Sequence, residues 1–210
     1  MARKENPPFP RGATFYDGTV PNIPGTSTPD TISHQELEGK TWVWEDVDYS
    51  ASASGVKLHR SGRFVTTMVV RNKAGATLTT PAKLLARMKT DGTGQEFTGQ
   101  VSGVDPAVGE LCYPIDEFLP GNVVANDLFW VVVDGPAKVI TDTGGDTTIA
   151  IGNYVIPGAT TDGRVIDQDT TVAAGAATFA QIQGAVGIAI TATTGNTQTL
   201  TIDVHPRHAM

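Results

Sequence analysis

The chain has 210 residues, a formal net charge of −7, and 40% hydrophobic and 18% charged residues. It is long enough to bury a sizeable core in one or two domains, but no apolar run approaches the ~18 residues of a membrane-spanning helix. A single cysteine, Cys112, excludes an internal disulfide framework and fits synthesis in a reducing cytoplasm. No apolar segment follows the charged N-terminal residues, so we do not expect a signal peptide.

Residues 1–40 are predicted to form an extended N-terminal arm. Six prolines fall in this segment, and proline favours extended paths because it removes a backbone donor. The arm also contains more large apolar side chains than a disordered tail needs, namely Phe9, Phe15, Tyr16 and Ile23. We expect these four side chains to be the interface residues of an arm that becomes ordered on a partner. The alternative is an arm that folds back on its own domain.

Residues 41–120 are predicted to be a strand-rich segment with long loops. Strands are expected at 41–45, 63–71 and 77–80, where β-branched and aromatic residues are frequent. Trp42 and Trp44 are two positions apart in the first of these strands, which places both rings on one face.

The remainder of this segment is less regular. Residues 81–89 begin with proline and place Leu84, Leu85 and Met88 at helical spacing, which favours a short helix, although a strand is also possible. Residues 92–120 contain many Gly and Pro residues and are expected to be loops, with one short strand around Cys112.

Residues 121–210 are predicted to be a β-barrel-like domain. Apolar residues alternate with polar or small ones in short runs bounded by Gly, Pro, Asn or Asp, at positions 127–136, 152–158, 163–166, 186–190 and 199–204. With 29 Thr and 21 Val in the chain, these runs predict an all-β fold: a small antiparallel β-barrel or sandwich with an extended arm.

The charge is unevenly distributed along the chain. Residues 1–100 carry 12 basic and 10 acidic side chains, whereas residues 101–210 carry 3 basic and 12 acidic ones. Nucleic-acid binding depends on Lys and Arg that neutralise phosphates, so the second half is not expected to bind nucleic acid. We expect its acidic residues to face solvent, and the first half to be the better candidate for a protein contact.

The residue patterns favour no catalytic, cofactor or metal site. Residues 39–41 (GKT) resemble the end of a phosphate-binding loop but lack its first glycine. Cys112 has no histidine near it in the sequence, which favours a buried and inert thiol. Asp142 and Asp146 flank a glycine turn that contains too few oxygen ligands for a calcium loop, and a hairpin tip is the stronger interpretation. We therefore expect a protein without enzymatic activity.

Three segments in fixed order carry a resemblance to a known family. They are residues 126–139 (NDLFWVVVDGPAKV), 151–165 (IGNYVIPGATTDGRV) and 187–202 (GIAITATTGNTQTLTI). Together they resemble the capsid cement or head decoration proteins of tailed bacteriophages. The resemblance implies a small β-barrel, often trimeric, that binds the exterior of the capsid after synthesis in the host cytoplasm and stabilises the lattice of the major capsid protein. It implies no catalytic residues.

Two other classes remain open. Another phage structural subunit, such as a tail-tube or spike protein, would share the composition, and residues 60–80 could supply its inserted hairpin. A carbohydrate-binding β-domain could use Trp42, Trp44 and Trp130 as a stacking platform, although strand tryptophans are more often part of a core.

Overall fold

The computed structural model describes residues 7–14, 37–48, 59–74, 76–88, 112–125, 127–158, 160–168 and 185–204, and the backbone of residues 96–100. Within these ranges the fold is all-β, as predicted, and contains no α-helix. The strands are β1 (Thr41–Val47), β2 (His59–Asn72), β3 (Leu85–Met88), β4 (Glu96–Gln100), β5 (Cys112–Pro114), β6 (Leu128–Ile140), β7 (Tyr154–Pro157), β8 (Val165–Asp167), β9 (Gly187–Ala189) and β10 (Thr199–Val204). None of the described segments is a helix of the length and hydropathy needed to cross a membrane.

Strand β6 joins the two halves of the sheet. Its residues 128–134 pair antiparallel with β2, and its residues 135–140 pair antiparallel with β10. The strand order is β5-β3-β4-β2-β6-β10-β9-β7-β8, and β1 pairs with β2 outside this path. The pairing is antiparallel between the named strands except for the parallel contact of β2 with β4.

The first lobe, formed by β1–β5 and residues 128–134, curls back on itself. Ile115, the residue after β5, forms an antiparallel bridge with Val131 of β6, so the far end of the strand order returns to its middle. The interior of this curl is one hydrophobic cluster of Met68, Val70, Leu78, Ala86, Met88, Tyr113, Ile115, Leu119, Val123, Phe129 and Val131.

The second lobe, formed by residues 135–168 and 185–204, curls in a similar way. Thr141, directly after β6, forms a parallel bridge with Val165 of β8. Alternation directs Leu200, Ile202 and Val204 of β10 into the core. Their cluster also includes Val65, Leu85, Cys112 and Val132 of the first lobe, so the lobes share a continuous core.

Most of the strands agree with the sequence prediction, including those at 41–47, 59–72 and 128–140 and the short strand at Cys112. The predicted helix at 81–89 is wrong, and the alternative strand is found as β3. Residues 85–88 pair with β4 on one side and β5 on the other. Backbone pairing on both edges therefore overrides the helical spacing of the leucines.

Two further differences come from long-range pairing. Strand β4 lies in a segment that was expected to be a loop, and in the predicted strand 77–80 only Leu78 pairs, through a bridge to Val123. The division into an arm (1–40), a strand-rich segment (41–120) and a C-terminal domain (121–210) stays a prediction, although the β2–β6 pairing joins the second and third of these segments.

Gly135 allows β6 to continue from one lobe into the other. Its φ is 89°, and a Cβ atom at this position would overlap the carbonyl oxygen of Phe64 on β2. Both features exclude residues other than glycine, because a left-handed conformation and the close approach of two backbones are each unfavourable with a side chain.

We predict that Gly135→Ala destabilises the protein far more than a matched control. Gly152 has a φ of 90°, but among the described residues no atom beyond its chain neighbours lies within 4 Å of the place a Cβ would occupy. Gly152→Ala therefore isolates the conformational cost of about 1–2 kcal/mol. Gly135→Ala should lose about 1–3 kcal/mol more, because the backbones of β2 and β6 must separate. Urea unfolding of both variants measures the difference. Equal losses would show that the β2–β6 approach is not a constraint.

Candidate functional site

The N-terminal segment 7–14 is packed onto the first lobe. Phe9 is 6% exposed and its ring lies 4.8 Å from the ring of Trp130 of β6. The indole Nε1–H of Trp130 donates to the carbonyl oxygen of Phe9 over 3.2 Å. Ala13 and Leu37 pack against the same cluster. This part of the predicted arm therefore folds back on its own chain, which is the alternative that the sequence left open.

A buried ion pair fixes the same segment. Arg11 donates from Nη2 to Asp116 Oδ1 over 2.8 Å, and the side chains of the two residues are 1% and 0% exposed. The second carboxylate oxygen accepts the backbone N–H of Gly12 over 2.8 Å. The N–H of Asp116 itself donates to the carbonyl of Trp130. One aspartate thus links the N-terminal segment to β6 across more than a hundred residues of sequence.

Phe118 connects this ion pair to a second charged cluster. The guanidinium carbons of Arg11 and Arg60 lie 4.8 Å and 5.3 Å from the centre of its ring, distances at which a cation is attracted by the ring. Arg60 contacts Asp46 at 2.6 Å and Glu117 at 2.9 Å. Glu117 also contacts Lys138 at 3.0 Å.

This second cluster borders a cavity of about 220 Å³ between the lobes. Burial alone would lower the pKa of Arg60, but Glu117 and Asp46 together raise the pKa above its ordinary value. Arg60 therefore stays charged, and its two carboxylate partners neutralise it. Each cation of this cluster therefore contacts an anion at the junction of the lobes.

The three tryptophans do not form a flat stacking platform. Trp130 is fully buried, and the ring of Trp44 meets it edge-on at 5.8 Å with an interplanar angle of 84°. Trp42 and Trp44 lie on one face, as predicted, but their planes differ by 55°. The Trp44 Nε1–H donates to Thr67 Oγ1 over 2.7 Å. These contacts are those of core residues, with Trp42 and Trp44 half-buried at the edge.

The expectation that the acidic residues of the second half face solvent is wrong for several of them. The carboxylates of Asp116, Asp127, Asp142 and Asp167 are buried. Asp142 accepts the backbone N–H groups of Thr143 and Thr160, and Asp167 accepts from the side chain of Asn153 over 2.6 Å. Aspartate accepts backbone donors of nearby turns readily, so these charges hold loops together. Asp134, Asp146 and Asp162 are exposed.

The remaining sequence candidates include Cys112 and residues 39–41. Cys112 is buried, as expected. The N–H of Gly39 donates to the carbonyl of Val69, and the N–H of Val69 donates to the carbonyl of Lys40, so residues 39–41 extend the pairing of β1 with β2. The described residues contain no group of three or more His, Cys, Asp or Glu side chains that could hold a metal ion.

The four predicted interface residues fall in two groups. Phe9 lies in the core described above, and it would have to leave that core to contact a partner. Phe15, Tyr16 and Ile23 lie outside the described residues, and their interface role stays a prediction. The fixed segment next to them depends on Arg11 and Asp116, which the sequence analysis missed, because no local pattern signals a pair separated by 105 positions.

Two large apolar side chains of the β1–β2 ladder remain exposed. Phe64 of β2 is 63% exposed and Val43 of β1 is 58% exposed. Val43 lies opposite Thr66 in the pairing register, so Val43 and Phe64 are diagonal neighbours on one face of the β1–β2 ladder. We refer to Val43 and Phe64 as the apolar pair.

Comparison with known proteins identifies no family. No family model matches the chain, and no curated protein matches it. Among solved structures, the N base of the head fiber gp8.5 of bacteriophage phi29 is similar, with a TM-score of 0.38 and 17% identity over 69% of this chain and 97% of that chain. Similarity at this level establishes neither a shared fold nor a shared function.

We predict that Arg11→Met lowers the free energy of unfolding by about 3–5 kcal/mol, because it leaves the Asp116 carboxylate buried without its cation. The double variant Arg11→Met/Asp116→Leu should recover part of this loss, since no buried charge remains. The control is Arg63→Met, which removes the partly exposed pair with Asp203 and should cost less than about 1 kcal/mol. A loss for Arg11→Met no larger than that of the control, measured by urea unfolding, would contradict a buried anchor.

We predict a pH-dependent contribution from Asp142. Burial alone would raise the pKa of this carboxyl, but N–H donors of Thr160 and Thr143 lower it below the ordinary value. A lowered pKa in the folded state stabilises the protein above the unfolded value of about 4, and this stabilisation is lost as the pH falls through the folded pKa. Asp142→Asn should therefore cost about 2 kcal/mol at pH 7, and the difference from the native protein should shrink towards pH 3. A difference that does not change between these pH values would disprove the assignment. Asp146→Asn, at an exposed site of the same loop, is the control.

Proposed function

We propose that this chain is a non-enzymatic structural protein of a bacteriophage virion, which binds the exterior of the capsid and stabilises the lattice of the major capsid protein. The observation that carries the proposal is the buried attachment of residues 7–14 to the body. The sequence resemblance of residues 126–139, 151–165 and 187–202 to capsid cement and head decoration proteins supports it.

A firm attachment is what an arm needs if it is to hold subunits together. A contact made by residues 15–36 can transmit force to the body only if the chain on the body side does not detach. Arg11 and Phe9 supply that attachment through a buried ion pair and a ring contact with Trp130. The arm then continues through Phe15, Tyr16 and Ile23, the apolar residues that we propose as the contacts with the capsid.

The body can supply a second contact. The apolar pair, Val43 and Phe64, lies on strands that are held by pairing, so little conformational entropy is lost when it is covered. Many copies on one shell would multiply such weak contacts through their effective concentration. We further propose that the protein acts as a homotrimer on the shell.

The two alternatives receive less support from the described residues. A tail-tube subunit would need an inserted hairpin at 60–80, but residues 64–71 of β2 pair with β1, with β6 or with both. A stacking platform for carbohydrate would need coplanar exposed rings, which Trp42, Trp44 and Trp130 do not provide.

We predict that replacing residues 15–30 by a Gly/Ser segment of equal length leaves the body folded but abolishes most capsid binding. The anchor at 7–14 is retained, so urea unfolding should be unchanged. Co-sedimentation with shells of the major capsid protein from the same genome measures binding, and Phe15→Ala alone should cost about 1–3 kcal/mol if this ring fills a pocket.

Two controls define the outcome. Deleting residues 2–14 should instead destabilise the body, because it exposes Trp130 and leaves Asp116 unneutralised. Phe64→Ser tests the body contact without touching the arm. Full occupancy of the Gly/Ser variant on the shells would show that the arm is not the contact, and failure of the native chain to bind any such shell would refute the capsid role itself. Light scattering of the bound and free protein determines whether it trimerises.

A further inference from the structure

Strand β1 has one edge that no other described strand covers. Among the described strands it pairs with β2 alone, whereas β2 has partners on both sides. The N–H of Val69 on β2 donates to the carbonyl of Lys40 over 2.9 Å. Hydrogen-bonded and non-hydrogen-bonded pairs alternate along an antiparallel ladder. The backbone groups of Trp42 therefore face β2, and those of Thr41 and Val43 face the uncovered edge.

This edge lacks the features that usually prevent a strand from pairing with another chain. Protected edges are short, carry charges or proline, or are twisted away by a bulge. Strand β1 has seven residues, and residues 41–44 (TWVW) contain neither a charge nor a proline. Its irregularity falls only between Glu45 and Val47, and the side chain of Val43 is 58% exposed. The edge is therefore suited to the addition of a strand.

The charges at the two ends of this uncharged stretch indicate which strand it can accept. Lys40 precedes the stretch, and Glu45 and Asp46 follow it. When two copies of β1 pair antiparallel, the basic end of one copy lies beside the acidic end of the other. Parallel pairing would instead bring like charges together, which is unfavourable. The strand is thus complementary in charge to a second, antiparallel copy of itself.

One register satisfies the backbone and the side chains together. If Val43 lies opposite the same residue of the second copy, the two residues can exchange both backbone hydrogen bonds. Trp42 then lies opposite Trp44, an aromatic pair that stabilises neighbouring strands, and the neutral Thr41 lies opposite Glu45. A pair centred on Glu45 would instead place two carboxylates opposite each other.

We propose that β1 pairs antiparallel with β1 of a second copy of this chain, about a two-fold axis at Val43. Such a contact is isologous, because the same residues contribute from both copies. The side chains of Val43 and Phe64 stay on the face of the continuous sheet, so the apolar pairs of the two copies join in one larger surface. The contact uses neither the arm nor the capsid, and on a shell it would link copies of neighbouring trimers.

Sedimentation velocity of the full-length chain at concentrations up to about 1 mM tests the contact. We expect a monomer–dimer equilibrium. Val43→Lys should raise its dissociation constant at least about tenfold, because two lysines then lie directly opposite each other. The matched control is Val124→Lys, at a valine that is 47% exposed outside the β1–β2 ladder, and it should leave the equilibrium unchanged. An equimolar mixture of Val43→Lys and Val43→Glu should associate again, and urea unfolding checks that each variant is folded.

Disulfide cross-linking tests the register. Paired residues of this type have Cα atoms about 5.5 Å apart, a distance that a disulfide can span, so Val43→Cys should form a covalent dimer on oxidation. Thr41→Cys should not, because the two copies of this position are about 13 Å apart along the strands. The native chain, whose Cys112 is buried, is the blank.

Three results would overturn the proposal. A native chain that stays monomeric up to about 1 mM would leave the edge to a strand of another protein. Association that Val43→Lys does not weaken would place the contact elsewhere on the molecule. Cross-linking of Thr41→Cys as readily as of Val43→Cys would contradict the two-fold axis at Val43.

Discussion

The passage of β6 through both lobes is the constraint on which the rest of the structure depends. One half of the strand pairs with β2 and the other half with β10, so the strand exchanges one partner for the other between Asp134 and Gly135. Gly135 allows this, because its left-handed φ and its missing side chain let β6 approach the carbonyl of Phe64. The two lobes can then curl in sequence from one shared strand and bury one continuous core.

Buried polar groups determine how the segments outside the sheet are attached to it. Asp116 accepts hydrogen bonds from Arg11 and Gly12, and Asp142 accepts hydrogen bonds from two N–H groups of turns. Glu38 contacts Arg71 of β2. Each buried charge is costly unless it is paired and hydrogen-bonded, so these positions tolerate few alternative arrangements of the chain. Because each buried charge must keep its partners, the N-terminal segment and the loops of the second lobe have a single docking geometry.

Local patterns predicted what depends on local physics. Strands β2, β6 and β10 could be predicted from the sequence, because the pleat of a strand by itself favours apolar alternation and β-branched residues. The helix predicted at 81–89 was wrong because β3 is defined by its neighbours β4 and β5, which are distant in sequence. Arg11 and Asp116 were not predictable for the same reason: 105 positions separate them, and only the packing of residues 7–14 on the first lobe brings them together.

The division of polar chemistry between interior and surface indicates how this body can interact. Several carboxylates of the acidic half are used inside the fold, where they satisfy turn donors, and the charges of Arg60 and Glu117 neutralise each other at the junction. On the face of the apolar pair, by contrast, exposed Glu45 lies directly opposite Phe64, and exposed Asp134 lies opposite Thr66. A contact made through Val43 and Phe64 themselves depends on burial, which salt screens weakly, whereas a contact with Glu45 or Asp134 would weaken as the ionic strength rises. A rigid sheet suits the apolar pair, because a contact without long-range attraction gains its affinity from preorganisation.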